Sequence, residues 1–353
     1  MLSNNYDLYR FNQSAPVVNG ISLEWENYKQ ESFSLEPGKG YLYANDHDVT
    51  LQFTGTPYNG ESTITLTKTD IVDWSGWNLV GNPFAQTAYI TKAFYTMNGT
   101  GSEVVAGTGN SIEAMEGIFV IAEQNNEEMT FSTTQPAGQN QQLVINVTHD
   151  RGTSTRSATT STGSAAIDRA IVRFDEGGQL PKFQLFESST KLYIPQGNSD
   201  YAIVRSAAEG EMPVNFKAKE NGTYTISVNT ENVEMDYLHL IDNMTGNDVD
   251  LLATPSYTFE ATTRDYASRF RLVFNTNGNN AEGNANFAYF NGSEWQISNI
   301  GEATLQVVDV MGRIVKNVAL EGNATVSINE MPGVYMMRLL NGNDVKVQKV
   351  VIR

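Results

Sequence analysis

The 353 residues contain no cysteine, so the chain has no disulfide framework, no thiolate metal site and no cysteine nucleophile. Positive charge is scarce as well: 23 Lys and Arg stand against 40 Asp and Glu, a formal net charge of −17. Nucleic acid and anionic membranes are poor partners for such a chain, because phosphate binding needs clustered Lys and Arg. No such cluster occurs in the sequence. No apolar run approaches the roughly 20 residues that span a bilayer, so no membrane span is expected. The opening "MLSNNYDLYRFNQSAP" has neither the basic start nor the apolar stretch of a signal peptide, which leaves a cytosolic protein or a fragment of a longer one. Helical periodicity is missing too, and the one candidate, around Ile112 to Glu116, is too short to matter.

What is present is alternation. Short apolar/polar runs such as "VTLQFTG", "STITLTKT", "QLVINVTH", "AIVRFDE", "GTYTISVN", "RFRLVF", "ATLQVVDV" and "VKVQKVVIR" recur, bounded by Gly, Asn, Asp or Pro. Asn59-Gly60, Asn221-Gly222, Asn291-Gly292 and Asn341-Gly342 lie between them and supply residues that tolerate the positive φ of tight hairpins. The fold class is all-β, and sandwiches follow from it.

The first third repeats itself. "DLYRFNQSAPVVNG" is echoed by "AFYTMNGTGSEVVAG", with Asn12 answering to Asn98. "FSLEPGKGYLYANDHDVTLQFTG" is echoed by "NSIEAMEGIFVIAEQNNEEMTFST", with Gly40 answering to Gly117, Ala44 to Ala122 after a one-residue gap, and Phe53 to Phe131. The second copy also has an opener, "GWNLVGNPF", for which nothing stands before Tyr6. The expectation is that the chain starts inside a repeat.

Composition sets three β-sandwich-like domains, at 1–135 (with the duplication, its first copy truncated), 139–275 and 285–353, the last a small Ig-like sandwich. The stretches 132–141 and 275–287 read as linkers, and the Ser/Thr-rich 151–165 as a loop with almost nothing to bury, open to solvent, O-glycosylation or proteases.

Catalytic chemistry is thin. His47, His149 and His239 lie in separate segments without metal-ligand spacing, and there is no G-x-S-x-G elbow. Asp46 and Asp48 would suit a glycosidase carboxylate pair, yet "NDHD" reads as a hairpin turn. "DNMTGNDVD" gathers Asp242, Asn243, Asp248 and Asp250, oxygen donors of the kind Ca²⁺ prefers, but as a hairpin it has a sufficient structural reason. The expectation is no enzyme, no cofactor and no metal. Exposed aromatic faces stack on sugars: Trp77 reads as core, whereas Trp25 and Trp74, beside polar neighbours, are candidates for glycan contact or for packing between domains.

The last segment carries "VVDVMGRIV", with Asp309, Gly312 and Arg313 at a hairpin, then "MPGVYMMRL", with Gly333, Val334 and Tyr335 opening a strand, then a basic terminal strand with Lys349. In order and spacing it resembles the C-terminal sorting domain of proteins exported by the type IX secretion system of Bacteroidetes. The resemblance implies a seven-stranded Ig-like sandwich serving as an export address, the secretion machinery as partner, and a secreted or outer-surface location. The segment from "MPVNFKAKENG" to "RFRLVF" resembles uncharacterised β-sandwich modules that precede such tails in surface proteins of gut Bacteroidetes. Two functions follow as expectations: a non-catalytic, adhesin-like interaction or stalk protein with a surface glycan or protein ligand, or the accessory C-terminal region of an exported hydrolase or protease.

Overall fold

The structure, a computed structural model, describes residues 5–15, 17–18, 21–60, 62–70, 73–98, 103–136, 140–150, 166–183, 189–276, 287–290, 294–299, 301–341 and 344–352. The expected loop at 151–165 and nearly all of the second expected linker lie outside them. Among the described residues there is no helix.

The first repeat holds β1 (Tyr6–Phe11), β2 (Val17–Val18), β3 (Ile21–Ser22), β4 (Trp25–Asn27) and β5 (Leu42–Asn45). The second holds β6 (Thr63–Leu66), β7 (Trp77–Gly81), β8 (Ala88–Tyr89), β9 (Phe94–Met97), β10 (Val104–Ala106), β11 (Ser111–Ile112), β12 (Gly117–Ile121) and β13 (Glu127–Thr130). The sheet β4-β1-β5 repeats β10-β9-β12. Tyr9 faces Leu42 in one as Tyr95 faces Phe119 in the other. Asn12 and Asn98 close the turn after the central strand in both, their side-chain oxygens accepting from the Ser14 and Glu103 N–H groups at 3.0 and 3.3 Å.

The second copy adds β7 beside β12, and the first copy meets β7 from its other edge: the Gly40 N–H donates to the Leu79 carbonyl, and the Gly81 N–H to that of Gly38, both at 3.1 Å. The approach needs glycine, since a Cβ on Gly40 would stand 2.6 Å from the Val80 oxygen. Gln13 locks the two copies together. Its buried carboxamide donates to the Thr67 carbonyl at 2.6 Å and accepts from the Gly76 N–H at 2.9 Å.

A second layer, β6-β13 and β8-β11, covers the second copy and buries Leu66, Phe94, Ile112, Ile118, Met129 and Phe131. Among the described residues the first copy has no such layer. The expected strand "VTLQFTG" is an error of expectation: residues 48–54 carry no strand, and Val49, Leu51 and Phe53 are exposed. Alternation supplies a strand's side chains but not its hydrogen-bond partner, and without a partner the ladder does not form.

The middle unit runs β14 (Gln142–Asp150), β15 (Asp168–Arg173), β16 (Leu180–Pro181), β17 (Lys191–Gln196), β18 (Ser199–Arg205), β19 (Glu209–Lys217), β20 (Gly222–Glu231), β21 (Met235–Asp242), β22 (Asn247–Asp250), β23 (Ser256–Ala261) and β24 (Phe270–Thr276). They form one 11-stranded sheet in the order β22-β21-β24-β19-β17-β18-β15-β14-β20-β23, with β16 on β18. The sheet wraps a single core that includes Leu143, Ile145, Val172, Leu192, Phe216, Tyr224, Leu240 and Phe270. Its two end strands are joined by side chains: the Asn247 amide donates to the Tyr257 hydroxyl at 3.0 Å, and that hydroxyl donates to Asp242 at 3.1 Å.

The outer face of this sheet docks the repeats. Val144, Ile171, Leu180, Phe183 and Ile203 share an apolar cluster with Trp77, Tyr95 and Phe119. The Tyr95 hydroxyl donates to the Pro181 carbonyl at 3.1 Å and accepts from the Phe183 N–H at 2.9 Å, and Arg169 donates to the Ala106 carbonyl at 2.7 Å.

The last unit contains β25 (Ala288–Phe290), β26 (Trp295–Ile297), β27 (Glu302–Asp309), β28 (Ile314–Glu321), β29 (Ala324–Val326), β30 (Gly333–Asn341) and β31 (Asp344–Ile352). A three-stranded sheet, β25-β26-β29, packs on a four-stranded one, β28-β27-β30-β31, around Phe287, Trp295, Leu305, Met337 and Leu339. Tyr289 stacks on Tyr237 of the middle unit at 5.0 Å.

Candidate functional site

The C-terminal unit gathers at one end the residues singled out in its sequence. Asp309 closes the β27–β28 hairpin: its carboxylate accepts from the Arg313 and Met311 N–H groups at 2.9 Å each and from the Arg313 Nε at 2.7 Å. The Arg313 N–H, then its guanidinium and the Met311 N–H, hold that carboxyl below the usual range. Gly312 turns the hairpin at φ +82°, which favours glycine. Gly333 begins β30, and Tyr335 lies directly opposite Asp309, so the two motifs are neighbours across one ladder. The Tyr335 hydroxyl donates to the Met331 carbonyl at 2.9 Å and fixes the entry to the strand. Val334 pairs with Val351, and Met336 with Lys349, on the terminal strand, which is the edge of its sheet.

Sequence reasoning missed two features here. One is an exposed apolar surface at the same end, formed by Val310, Met311, Ile314, Val334, Met336 and Val351 beside the exposed Lys349. The other is Gln348, whose carboxamide accepts from the Phe287 and Ala288 N–H groups and donates to the Ala288 carbonyl, tying the first strand of the unit to its last. The signal for the first was present, since Val310 and Met311 are apolar residues in a turn. Nothing local marks Gln348.

A second candidate is the cleft between the repeats, about 320 Å³, lined by Trp25, Tyr41, Tyr43, Tyr95, Met97 and Phe119. It adjoins a polar groove of about 410 Å³ that shares Tyr41 and Leu79 with it and presents Arg10, Asn12, Glu26, Lys39 and Asn78. Burial pushes the Glu26 carboxyl up, but the hydrogen bond from Asn12 at 2.7 Å and the Arg10 guanidinium more than offset it and hold the group below its ordinary value. Trp25 lines the cleft with its ring edge-on to Phe11 and Phe119. Trp74 points elsewhere: it packs between Phe11 and Phe183, at the contact with the middle unit, and its buried Nε1 has no hydrogen-bond partner among the described residues.

The carboxylates of the 242–250 hairpin do not converge. Asp242 is buried against Arg269, Asp248 pairs with His239 at 2.7 Å, and Asp250 caps the Leu252 and Ala253 N–H groups. Asp46 pairs with its neighbour His47, and His149 with Glu220 at 3.2 Å. The three histidines therefore sit in three separate places, each beside one carboxylate. Among the described residues no helix is long and apolar enough to cross a membrane.

Among the described residues the C-terminal unit is a seven-strand, two-sheet unit with a braced hairpin and an exposed apolar edge that carries Lys349. Residues 281–353 match the family described as the secretion system C-terminal sorting domain. The chain is thus an exported protein of the type IX pathway, which implies a Bacteroidetes source, and it is either attached to the outer cell surface or released. The sorting domain implies interaction with the secretion machinery. No curated protein and no solved structure matches the chain at a significant level.

Proposed function

We propose that the exported chain is a non-catalytic, adhesin-like interaction protein whose ligand element is the cleft between its two N-terminal repeats, and that the ligand is a surface glycan. The observation that carries this reading is the position of Trp25, which lines an aromatic cleft that opens beside a groove of fixed polar groups. Sugars offer an apolar ring face and a rim of hydroxyls, and the site offers aromatic surface next to Asn12, Glu26 and Asn78. The separation of the three histidines, each beside a single carboxylate, supports a binding role over a catalytic one.

The test is a glycan array followed by calorimetric titration of any hit against the full chain and its Trp25→Ala and Asn78→Ala variants. The reading expects a hit whose affinity falls about tenfold or more in Trp25→Ala, roughly 1.4 kcal/mol. An array without hits, or a hit indifferent to both substitutions, removes the glycan reading and leaves a protein ligand to be sought.

A further inference from the structure

The two repeats differ in a way that their shared sequence does not explain. Ile112, Met129 and Phe131 of the second copy are 0%, 3% and 0% exposed, while their counterparts Leu35, Leu51 and Phe53 in the first are 55%, 47% and 62% exposed. In the second copy the covering comes from residues 62–90. β6 pairs with β13 so that Ile64 faces Met129, the Phe131 N–H donates to the Ser62 carbonyl at 3.0 Å, and β8 pairs with β11 so that Ala88 faces Ile112. Among the described residues nothing pairs with 48–54 in the first copy.

We propose that the first repeat is the acceptor half of a sandwich, completed by a donated β segment patterned like residues 62–90 and carried by a further repeat of the same type. The second copy shows on this chain what covers such a face. The chain cannot supply the segment from its own β6–β8, because those strands are committed: β6 to β13, β7 to β12 and β8 to β11, with Leu66, Val80 and Ala88 buried. A second identical molecule has the same strands committed in the same way. The incoming segment pairs antiparallel with 49–53, as β6 does with β13, and lays alternating apolar side chains over Leu51 and Phe53. That is strand addition to an open edge, with backbone hydrogen bonds giving affinity and the alternate side chains giving register. Repeats joined in this way stack, each closing the next. The proposal is read out by amide exchange at 49–53 and does not draw on the glycan reading.

Because Asn12 answers to Asn98, Tyr6 answers to Lys92. A duplicate of residues 62–91 placed immediately before Tyr6 of the full chain therefore enters in register. The expected result is that amide exchange at 49–53 slows about tenfold or more and the melting temperature rises. Leu51→Asp with Phe53→Asp removes both gains in the grafted chain and leaves the melting temperature of the ungrafted chain unchanged. As a second measurement, a synthetic Ser62–Lys68 peptide added to the ungrafted chain protects the same amides, while a scrambled peptide does not. Unchanged exchange at 49–53 in both formats overturns the proposal. So does a concentration-dependent dimer of the ungrafted chain that the Asp pair abolishes, because that assigns the face to a second copy.

Discussion

Arg269 and Asp242 form an ion pair at 2.9 Å with 2% and 0% of their side chains exposed, at the seam where the ends of the middle sheet meet. Arg269 also lies over the Phe259 ring at 4.4 Å and donates to the Glu260 carbonyl at 2.7 Å. The carboxylate that reads in sequence as a calcium donor is thus consumed by a guanidinium that appears 27 positions later. Removing one partner strands a buried charge, so Arg269→Met is expected to destabilise the chain by about 3–5 kcal/mol in urea unfolding. Added Ca²⁺ is expected to leave the melting temperature unchanged, and a calcium-dependent rise would show that this hairpin has another occupant.

The same pair sets a pH dependence. Burial pushes the Asp242 carboxyl up, but Arg269, the Met244 N–H and Tyr257 outweigh it and leave the group below its ordinary value. A carboxyl depressed in the folded state contributes stability that is present above its unfolded value, about 3.9, and is lost as pH falls through the folded one. Unfolding free energy measured from pH 5 downward should therefore drop, and Asp242→Asn should flatten part of that slope. An identical slope in the variant would place the acid sensitivity elsewhere.

Gln13 gives a third expectation. Its carboxamide serves Thr67, Thr69 and Gly76, and Gln13→Ala would leave buried backbone groups without partners. The expected cost is about 1–3 kcal/mol, with faster amide exchange at Gly76 and no change in the C-terminal unit. A silent substitution would mean that the glycine contacts and the packing of Phe11 and Trp25 on Phe119 hold the repeats together without it.

The limits of sequence reading show in these same residues. The strands at Thr63–Leu66, Gln142–Asp150 and Phe270–Thr276 were legible because alternation and turn residues are local signals. Gly312 was legible for the same reason, its φ of +82° being a backbone requirement written in one residue. Residues 48–54 were misread because a strand is a relation between two segments, and its second member is not written in its own alternation. Asp242 with Arg269, Gln13 with Gly76 and Gln348 with Phe287 are distant pairings that no spacing rule anticipates. The two tryptophans looked alike in sequence, but only Trp25 lines the cleft, since Trp74 meets Phe183 from the other unit.

That difference is measurable. Trp74→Ala is expected to lower stability by about 3 kcal/mol, as for other large core truncations, and to leave ligand affinity unchanged. Trp25→Ala is expected to act mainly on affinity. Reversed roles, read by urea unfolding and titration in parallel, would move the ligand site away from the cleft.

Export through the C-terminal unit is tested most directly in a Bacteroidetes host with a working type IX system. The measurement is cell fractionation and surface protease shaving of the full chain behind a periplasmic leader, beside the same chain ending at residue 280 and one carrying Lys349→Glu. Lys349 is exposed, so its substitution should alter stability by less than about 0.5 kcal/mol while reporting on the edge strand as a recognition surface. The full chain should reach the surface or the medium, and the truncated chain should accumulate folded in the periplasm. Equal surface delivery of the full and truncated chains would contradict the assignment of residues 281–353 as the export address.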